Sequence, residues 1–272
     1  MSQAAEDQRR LIVDQFTRQA EPFARLPAHS TEESIRLVVE AAGIGPEDTI
    51  LDVACGPGLL ACAFARTARC VTGIDLTPAM IEQARARQES VGLANLSWHV
   101  GDVTSLPFPD GSFSVAFTRY SFHHLLDPAG VLAEMVRVTQ AGGRVVVVDV
   151  YTSGPEQAET YNHVERLRDP SHVRALGLDE LTGLLRDAGL RDVATARYGL
   201  DMELERLLAA SFPEPGAAEE IRRLFAADVD RDRLGVGAHL EGGEIHFAFP
   251  TAILVGHRPA SVGEGPRYGG GR

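Results

Sequence analysis

Short apolar runs alternate with longer amphipathic segments through the middle of this chain. The runs begin near residues 49, 70, 97, 114 and 144, and most are followed by a stretch with helical periodicity. A continuous apolar run of this length is typical of a strand that is buried on both faces, as in a parallel sheet. Repeated strand–helix units of this size predict an α/β fold in which a doubly wound, mostly parallel sheet carries helices on both faces.

Helical patterns precede this alternation. Residues 1–45 are predicted to form a cap of two helices, with the second running from Thr31 to Ala42. The first helix places four apolar residues on one face: Leu11, Ile12, Phe16 and Phe23. These side chains predict that the cap packs against the core.

The pattern changes after residue 150. In order, we expect a polar helix over 151–174, an amphipathic helix over 178–188, a sixth strand over 192–200, a helical stretch over 202–234 broken at 213–216, and a last strand over 245–255. The sheet would then have seven strands. We predict a single domain over residues 1–258, made of the cap (1–45), a core (46–150) and helical insertions (151–175 and 202–240). The tail (259–272) is rich in glycine and is expected to be disordered.

Composition excludes several classes of protein. The net charge of −12 argues against a nucleic-acid partner. No apolar run reaches the length of a membrane span, and the polar N-terminus is unlike a signal peptide, so a cytoplasmic location is expected. The three cysteines lack C-x-x-C spacing, which disfavours a zinc site or a disulfide framework. The chain contains no lysine, which excludes a Walker lysine and Schiff-base chemistry and, with abundant Ala, Gly and Arg, suggests a GC-rich bacterial gene.

A glycine-rich turn follows the first apolar run. Gly56-x-Gly58-x-x-Ala61 matches the dinucleotide fingerprint, and Asp75 follows at a workable distance for a ribose hydroxyl. The turn alone would fit an NAD-linked oxidoreductase. Two acids point elsewhere, because Asp52 lies within the strand before the glycines and Asp102 ends the third strand.

Three segments carry a family resemblance: LDVACGPG from Leu51, VTGIDLTPAMIEQARAR from Val71, and GDVTSLPFPDGSFSVAF from Gly101. In order and spacing they resemble the class I S-adenosylmethionine-dependent methyltransferases, in particular the small-molecule branch that includes the ubiquinone/menaquinone-biosynthesis C-methyltransferases. The resemblance implies a Rossmann-like fold, S-adenosyl-L-methionine as cofactor and S-adenosyl-L-homocysteine as product. Ser114 departs from the pattern, where the family commonly has Asp, and affects no expected cofactor contact.

The resemblance also implies residue roles. The turn around the methionine part of the cofactor would consist of Asp52, Ala54, Gly56 and Gly58, and Asp75 would accept hydrogen bonds from the ribose hydroxyls. The remaining cofactor contacts would be Leu76 and Met80 flanking the adenine, Asp102 on its amino group, Val103 on the ring, Arg119 near the fourth strand's end, and Phe16 and Gln19 from the cap. Three alternatives stay open: Asp52 pins the loop, Asp75 caps a helix, or the cap phenylalanines only pack in the core.

The acceptor would meet the cofactor past the ends of the fourth and fifth strands. A base of near-neutral pKa assists attack by a hydroxyl or carbon acid, so His123 or His124, oriented by Asp149, is the catalytic hypothesis. The predicted acceptor pocket, partly formed by the insertion after the fifth strand, comprises Tyr120, Tyr151, Tyr161, His163 and His172. The alternatives are structural histidines and a salt-bridged, solvated helix. Clustered oxygen ligands are missing from these strand ends, so no metal is expected.

The leading function is therefore methyl transfer to a small organic acceptor, either a quinol-type ring carbon or a hydroxyl of a biosynthetic intermediate. A noncatalytic S-adenosylmethionine-binding module is the alternative from another class, and an NAD-linked oxidoreductase is the alternative among enzymes. We expect no nucleic-acid partner and no membrane span, and a homodimer stays open.

Overall fold

A computed structural model describes residues 2–25 and 32–260. The predicted helix start at Thr31, the side chain of Phe23 and most of the predicted tail lie outside the described residues. Within them the α/β prediction is confirmed: a central, mostly parallel sheet carries helices on both faces.

The helices, as the structure has them, are α1 (Gln3–Arg25), α2 (Glu32–Ala42), α3 (Leu59–Phe64), α4 (Pro78–Val91), α5 (Pro128–Val138), α6 (Pro155–Arg168), α7 (Leu178–Asp187), α8 (Leu204–Ser211) and α9 (Ala217–Asp228). A short 3₁₀ helix spans Phe122–His124. Local sequence explains several of the helix starts. Proline is the first residue of α4, α5 and α6, where its fixed φ suits the first turn and its missing N–H removes no hydrogen bond.

The strands are β1 (Thr49–Val53), β2 (Cys70–Asp75), β3 (Leu96–Val100), β4 (Phe113–Arg119), β5 (Thr139–Thr152), β6 (Leu176–Gly177), β7 (Arg191–Glu203), β8 (His239–Glu241) and β9 (Glu244–His257). Seven of them follow the order β3-β2-β1-β4-β5-β9-β7, in which the first five are parallel and the last two are antiparallel to their neighbours. The two extra strands, β6 beside β5 and β8 beside β9, have two and three residues and are too short to show a pattern in sequence.

The core lies on both faces of the sheet. Along β1, Ile50 belongs to the apolar cluster on one face and Leu51 to the cluster on the other, and both are fully buried. A third cluster joins the far ends of β7 and β9 to α6, α8 and α9, with Phe247 and Phe249 at its centre. The predicted helical insertions therefore share a core with the end of the sheet.

The structure corrects the predicted insertions at their ends. The helix expected over 151–174 is shorter, because β5 continues to Thr152, where it pairs with β6, and α6 ends at Arg168. Pro170 disfavours a helical conformation at Asp169, which accounts for that end. The helical stretch expected over 202–234 begins later and ends earlier, because β7 runs to Glu203 and α9 stops at Asp228.

Candidate active site

The turn after β1 is built from three left-handed residues. Ala54, Gly56 and Gly58 have φ values of 55°, 51° and 74°. A Cβ atom on Gly56 would meet open space, whereas one on Gly58 would lie 2.6 Å from Trp98 and 2.9 Å from Ala84. Gly56 therefore supplies a conformation, and Gly58 supplies in addition the close approach of α3 to its neighbours.

Two buried aspartates stand beside this turn. Asp75 accepts hydrogen bonds from the backbone N–H groups of Gly56 and Thr77, both at 2.8 Å, and so links the turn to the start of α4. Asp52 is 2% exposed, and its pKa is raised to about 7. Burial is the largest cause and the charge of Asp75 adds to it, while Arg119 and the Ala61 backbone N–H oppose it. Both carboxylates thus accept from backbone N–H groups, as expected for the two structural alternatives in which Asp52 pins the loop and Asp75 caps a helix.

A cavity of about 370 Å³ opens past the ends of β1, β2 and β4, beneath α1. We call it the donor cavity. Ten of the twelve predicted cofactor residues line it: Phe16, Asp52, Ala54, Gly56, Asp75, Leu76, Met80, Asp102, Val103 and Arg119. The other two lie elsewhere. Gln19 is fully buried and donates to the Ser211 carbonyl at 3.2 Å, and Gly58 packs against Trp98.

The donor cavity fits a cationic cofactor. Three carboxylates, Asp52, Asp75 and Asp102, line it at the ends of consecutive strands of the sheet or just beyond them, beside the apolar side chains of Leu76 and Met80. Carboxylates can accept hydrogen bonds from ribose hydroxyls and ammonium groups, and they attract a sulfonium charge.

Helix α1 contributes cavity residues that the sequence did not reveal. Ala5, Gln8, Arg9 and Ile12 line the donor cavity along with Phe16, and Arg9 lies 3.1 Å from Asp102. The apolar face of α1 was visible in sequence, but no local pattern indicated that its polar residues turn inward. The other lining residues missed are Cys55, Pro57, Leu59, Leu60, Arg87, Thr104, Phe117, Ser121, Leu125, Leu126 and Asp127.

A second, smaller cavity of about 60 Å³ adjoins the first. We call it the inner chamber, and its lining residues are Phe16, Tyr120, His123, His124, Val150, Tyr161, Glu165, Arg168, Asp169, Leu200, Leu207 and Phe249. Phe16, Tyr120 and His124 line both cavities and form their common wall. A ligand in the donor cavity would therefore stand next to a ligand in the inner chamber.

His123 is the histidine that Asp149 orients. The Nδ1 atom of His123 lies 2.6 Å from Asp149 Oδ1, and Asp149 also accepts from the backbone N–H groups of Phe122 and Val150. Burial would lower the pKa of His123, but the charge and hydrogen bond of Asp149 outweigh it and raise that pKa above 6.5. Since Nδ1 is occupied, Nε2 is the nitrogen through which His123 exchanges protons.

His124 has different partners. Its Nδ1 atom lies 3.1 Å from the Ser171 carbonyl and 3.0 Å from Ser171 Oγ, which in turn donates to Asp169. A carbonyl only accepts, so Nδ1 carries the proton and Nε2 is left with a lone pair. Burial, and then the nearby charge of His123, lower the pKa of His124 to about 4, so its ring is neutral at neutral pH.

A single amide ties α1 to this region. Gln8 Nε2 donates to the His124 carbonyl at 2.9 Å and to the Ser171 carbonyl at 2.7 Å. Gln15 makes a similar contact with the Ser211 carbonyl at the end of α8. The cap is thus fastened by side-chain amides to three segments that are distant from it in sequence.

Two of the five predicted acceptor residues line the inner chamber, namely Tyr120 and Tyr161. The other three lie elsewhere. Tyr151 pairs with Leu176 in the sheet, His163 is exposed on the outer side of α6, and buried His172 donates through Nε2 to Asn162. Asn162 also accepts from Ala175 N–H, so His172 is part of a structural network. The structure therefore does not bring these three residues into the lining of the inner chamber.

The salt bridge on α6 is buried. Arg168 pairs with Glu165 at 2.5 Å and donates to Ser211 Oγ at 3.2 Å, and both charged side chains are less than a tenth exposed. The solvated-helix alternative does not describe this pair, because Glu165 and Arg168 are turned toward the inner chamber. An amphipathic pattern cannot reveal this arrangement, since it assigns charged residues to the solvent side.

In the described part of the chain, no group of three or more His, Cys, Asp or Glu side chains is arranged to hold a metal ion. None of the helices within 2–25 and 32–260 combines the length and the apolar character that crossing a bilayer requires.

Comparison with known proteins agrees with this geometry. Residues 51–147 match the family model described as "Methyltransferase domain". The chain is 30% identical over 244 residues to the uncharacterized methyltransferase YcgJ of Bacillus subtilis, covering 89% of this chain and 96% of YcgJ. The crystal structure of YcgJ superimposes with a TM-score of 0.77 at 28% identity, covering 84% of this chain and 98% of that one.

Two other relatives have names that state their substrates. The 27-O-demethylrifamycin SV methyltransferase of Amycolatopsis mediterranei is 34% identical over 58% of this chain and 61% of its own length. The demethylmenaquinone methyltransferase of Renibacterium salmoninarum is 34% identical over 42% of this chain and 46% of its own length. Both alignments cover less than two thirds of either protein.

Proposed function

The chain belongs to the class I S-adenosylmethionine-dependent methyltransferases, and we propose that it methylates a small organic acceptor whose reacting group enters the inner chamber. Its cofactor is S-adenosylmethionine. When bound, this cofactor supplies a methyl group on a sulfonium centre that is open to in-line attack by a nucleophile. The proposal concerns the acceptor and the residues that act on it.

The cofactor-binding residues are proposed from the lining of the donor cavity. Asp75 would accept the ribose hydroxyls, because its carboxylate is already held in place by two backbone N–H groups. Asp102 and Val103 would contact the adenine, with Leu76 and Met80 on the ring faces. Asp52 would balance the positive charge of the cofactor, which favours its ionised form.

The observation that carries the proposal is the His123–Asp149 pair in the chamber next to the donor cavity. His123 would take the proton of the acceptor at Nε2, and Asp149 would stabilise the imidazolium that forms. Helix α1 covers the donor cavity and Phe16 adjoins both cavities, so these groups would keep water from the reacting atoms.

Two acceptor classes are proposed: a quinol-type ring carbon and a hydroxyl of a biosynthetic intermediate. Relatives named for methylating demethylmenaquinone and 27-O-demethylrifamycin SV support these two classes respectively. Deprotonation by one base serves both, because loss of a hydroxyl proton activates the oxygen itself and the ortho or para carbons of its ring.

The test is a screen of the purified protein with methyl-labelled S-adenosylmethionine against quinols, phenols and hydroxylated polyketides. We expect label transfer and release of S-adenosylhomocysteine with at least one class, lost in His123→Ala and retained in His163→Ala, which alters an exposed histidine. Cofactor binding by calorimetry without turnover on any acceptor would favour the noncatalytic module instead. Tighter binding of NAD than of S-adenosylmethionine would overturn the proposal.

A further inference from the structure

We propose that the inner chamber selects a neutral hydroxyl head group, as in a phenol or enol, and rejects acceptors that present a carboxylate, a phosphate or an ammonium group. This inference rests on the proposed function, since it assumes that the acceptor enters the inner chamber. It goes further by assigning the charge of the group that enters.

Carboxylates outnumber cations around the inner chamber. Glu165 and Asp169 line it, and Asp149 stands behind His123. Among the described lining residues Arg168 is the one permanent cation, and its guanidinium is engaged by Glu165. Since His124 is neutral, three carboxylates and one guanidinium leave two negative charges in this buried site when His123 is neutral, and one when His123 is protonated.

This charge excludes an anionic head group. Like charges a few ångströms apart in a buried site repel strongly, because little water is present to screen them. Arg168 is the cation that would otherwise receive a carboxylate, but Glu165 already takes its Nε and Nη2 donors. A second carboxylate would have to displace Glu165, which would then be buried without its partner.

The same charge disfavours an amine acceptor. Negative surroundings stabilise an ammonium group and raise its pKa, and a protonated nitrogen has no lone pair with which to attack. A neutral hydroxyl avoids both problems. When its proton moves from oxygen to His123 Nε2, one negative and one positive charge appear together, so the net charge of the chamber does not change.

The neutral ring of His124 presents a hydrogen-bond acceptor. Its Nδ1 proton is donated to Ser171, so its Nε2 lone pair is available as an acceptor in a residue that lines both cavities. A hydroxyl brings one proton, for which His124 Nε2 and His123 Nε2 are alternative acceptors, whereas a carboxylate offers only more lone pairs. A chamber of about 60 Å³ has room for a head group and not for a whole ring, since a cavity that binds benzene measures about 150 Å³. The ring would lie toward the common wall of Phe16 and Tyr120.

The experiment measures binding of three ring compounds of similar size, phenol, benzoate and benzylamine, to the full chain loaded with S-adenosylhomocysteine, by ligand-observed NMR. We expect phenol to bind at least about tenfold more tightly than benzoate. Benzylamine, held as an ammonium ion, should bind but should receive no label when the chain is loaded with methyl-labelled S-adenosylmethionine instead. Leu207→Trp fills the chamber wall and should remove phenol binding.

Glu165→Gln provides the decisive variant. It leaves the Arg168 guanidinium without its carboxylate, so benzoate affinity should rise about tenfold or more while phenol affinity changes little. The matched control is Glu180→Gln, which alters an exposed Glu–Arg pair with Arg174 on the outer surface and should change neither affinity. If Glu165→Gln fails to fold by circular dichroism, Asp169→Asn removes one negative charge with little change of shape and should move the affinities in the same direction.

The outcomes separate this inference from the proposed function. Phenol binding that Leu207→Trp leaves intact would place the ligand outside the chamber and overturn the proposed function. Binding in the chamber with benzoate as tight as phenol, or transfer of label to benzylamine, would overturn the charge selection alone. An unchanged benzoate affinity in both carboxylate variants would also overturn it.

Discussion

The donor cavity and the inner chamber share a wall, but they are assembled in different ways. Apart from the α1 residues that cover it, the donor cavity rests on contacts between segments close in sequence, such as Gly56 N–H on Asp75, 19 residues apart. The inner chamber is lined by residues from Phe16 to Phe249 and rests on more distant contacts, such as Arg168 on Ser211, 43 residues apart. A cofactor common to a family can be bound by a local motif, whereas an acceptor site built from dispersed residues is free to differ between members.

The largest expected effect isolates the inner chamber. His123→Ala should lower turnover about 10²- to 10⁴-fold, the range in which a positioned general base contributes. Cofactor affinity should stay within about twofold, because His123 lines the inner chamber and not the donor cavity. Single-turnover kinetics and calorimetry measure the two quantities. A large loss of cofactor affinity would show that the two cavities do not function separately.

The second test isolates the donor cavity. Asp52→Asn should weaken S-adenosylmethionine binding about 10- to 100-fold, since a hydrogen bond or contact to a charged group contributes roughly 1.5–3 kcal/mol. The same substitution should have the opposite effect on folding, because it should make the ligand-free protein more stable at high pH. Burial raises the pKa of Asp52 from 3.8 to about 7, so the folded protein retains a proton there that the unfolded chain has released.

The stability associated with Asp52 is accordingly present below about pH 4 and is lost as the pH rises toward about 7. At pH 8, without ligand, Asp52→Asn should therefore melt at a higher temperature than the native protein. Scanning calorimetry at pH 4 and pH 8 checks this. A lower melting temperature at pH 8 would mean that Asp52 serves mainly to hold the loop.

The third test asks whether Gly58, in the turn beside the donor cavity, is needed for packing. Gly58→Ala should lower the free energy of unfolding by about 1–3 kcal/mol, because the added Cβ would lie 2.6 Å from Trp98. Gly92 is the matched control: its φ of 66° is also left-handed, but its Cβ would meet open space. Urea denaturation of both variants should show the larger loss for Gly58→Ala. Equal losses would reduce the role of Gly58 to backbone conformation.

The smallest expected effect concerns Asp149 and its influence on the pKa of His123. Turnover should increase with pH through a midpoint above 6.5, because the base must be neutral and Asp149 raises the pKa of His123. In Asp149→Asn the midpoint should move to lower pH, since the charge that opposes burial is removed. A pH–rate profile of kcat/KM for both proteins is the measurement. An unchanged midpoint would assign the titration to another group.

Most of the donor cavity could be predicted because the residues that indicate it lie close together in the sequence. Two glycines, Asp52 within a strand and Asp75 at the next strand end define a turn from some 25 consecutive residues. The chamber could be predicted only in outline. In α/β sheets, ligands bind past the carboxyl ends of the strands, and this rule pointed to His123, His124 and Asp149 because they lie at or near the ends of the fourth and fifth predicted strands.

The predicted residues that lie outside the chamber show where local reasoning ends. His163 and His172 lie on and just after α6, and sequence composition alone made both look like site residues. His163 is exposed because of the rotation of α6, which turns Glu165 and Arg168 inward and brings Arg168 to Ser211 of α8. His172 follows the helix and is buried. No periodicity specifies that rotation when the inward face is charged.

The amide of Gln8 has a consequence for how the protein is made. Gln8 leaves the ribosome 163 residues ahead of Ser171, the partner it needs. At a synthesis rate of about 5–20 residues per second, the first helix must wait roughly 8–30 s before it can dock. During that interval the strands of the cofactor half have already emerged and can pair. The donor cavity, which Gln8 lines, is thus closed only after Ser171 has emerged, by the part of the chain that was translated first.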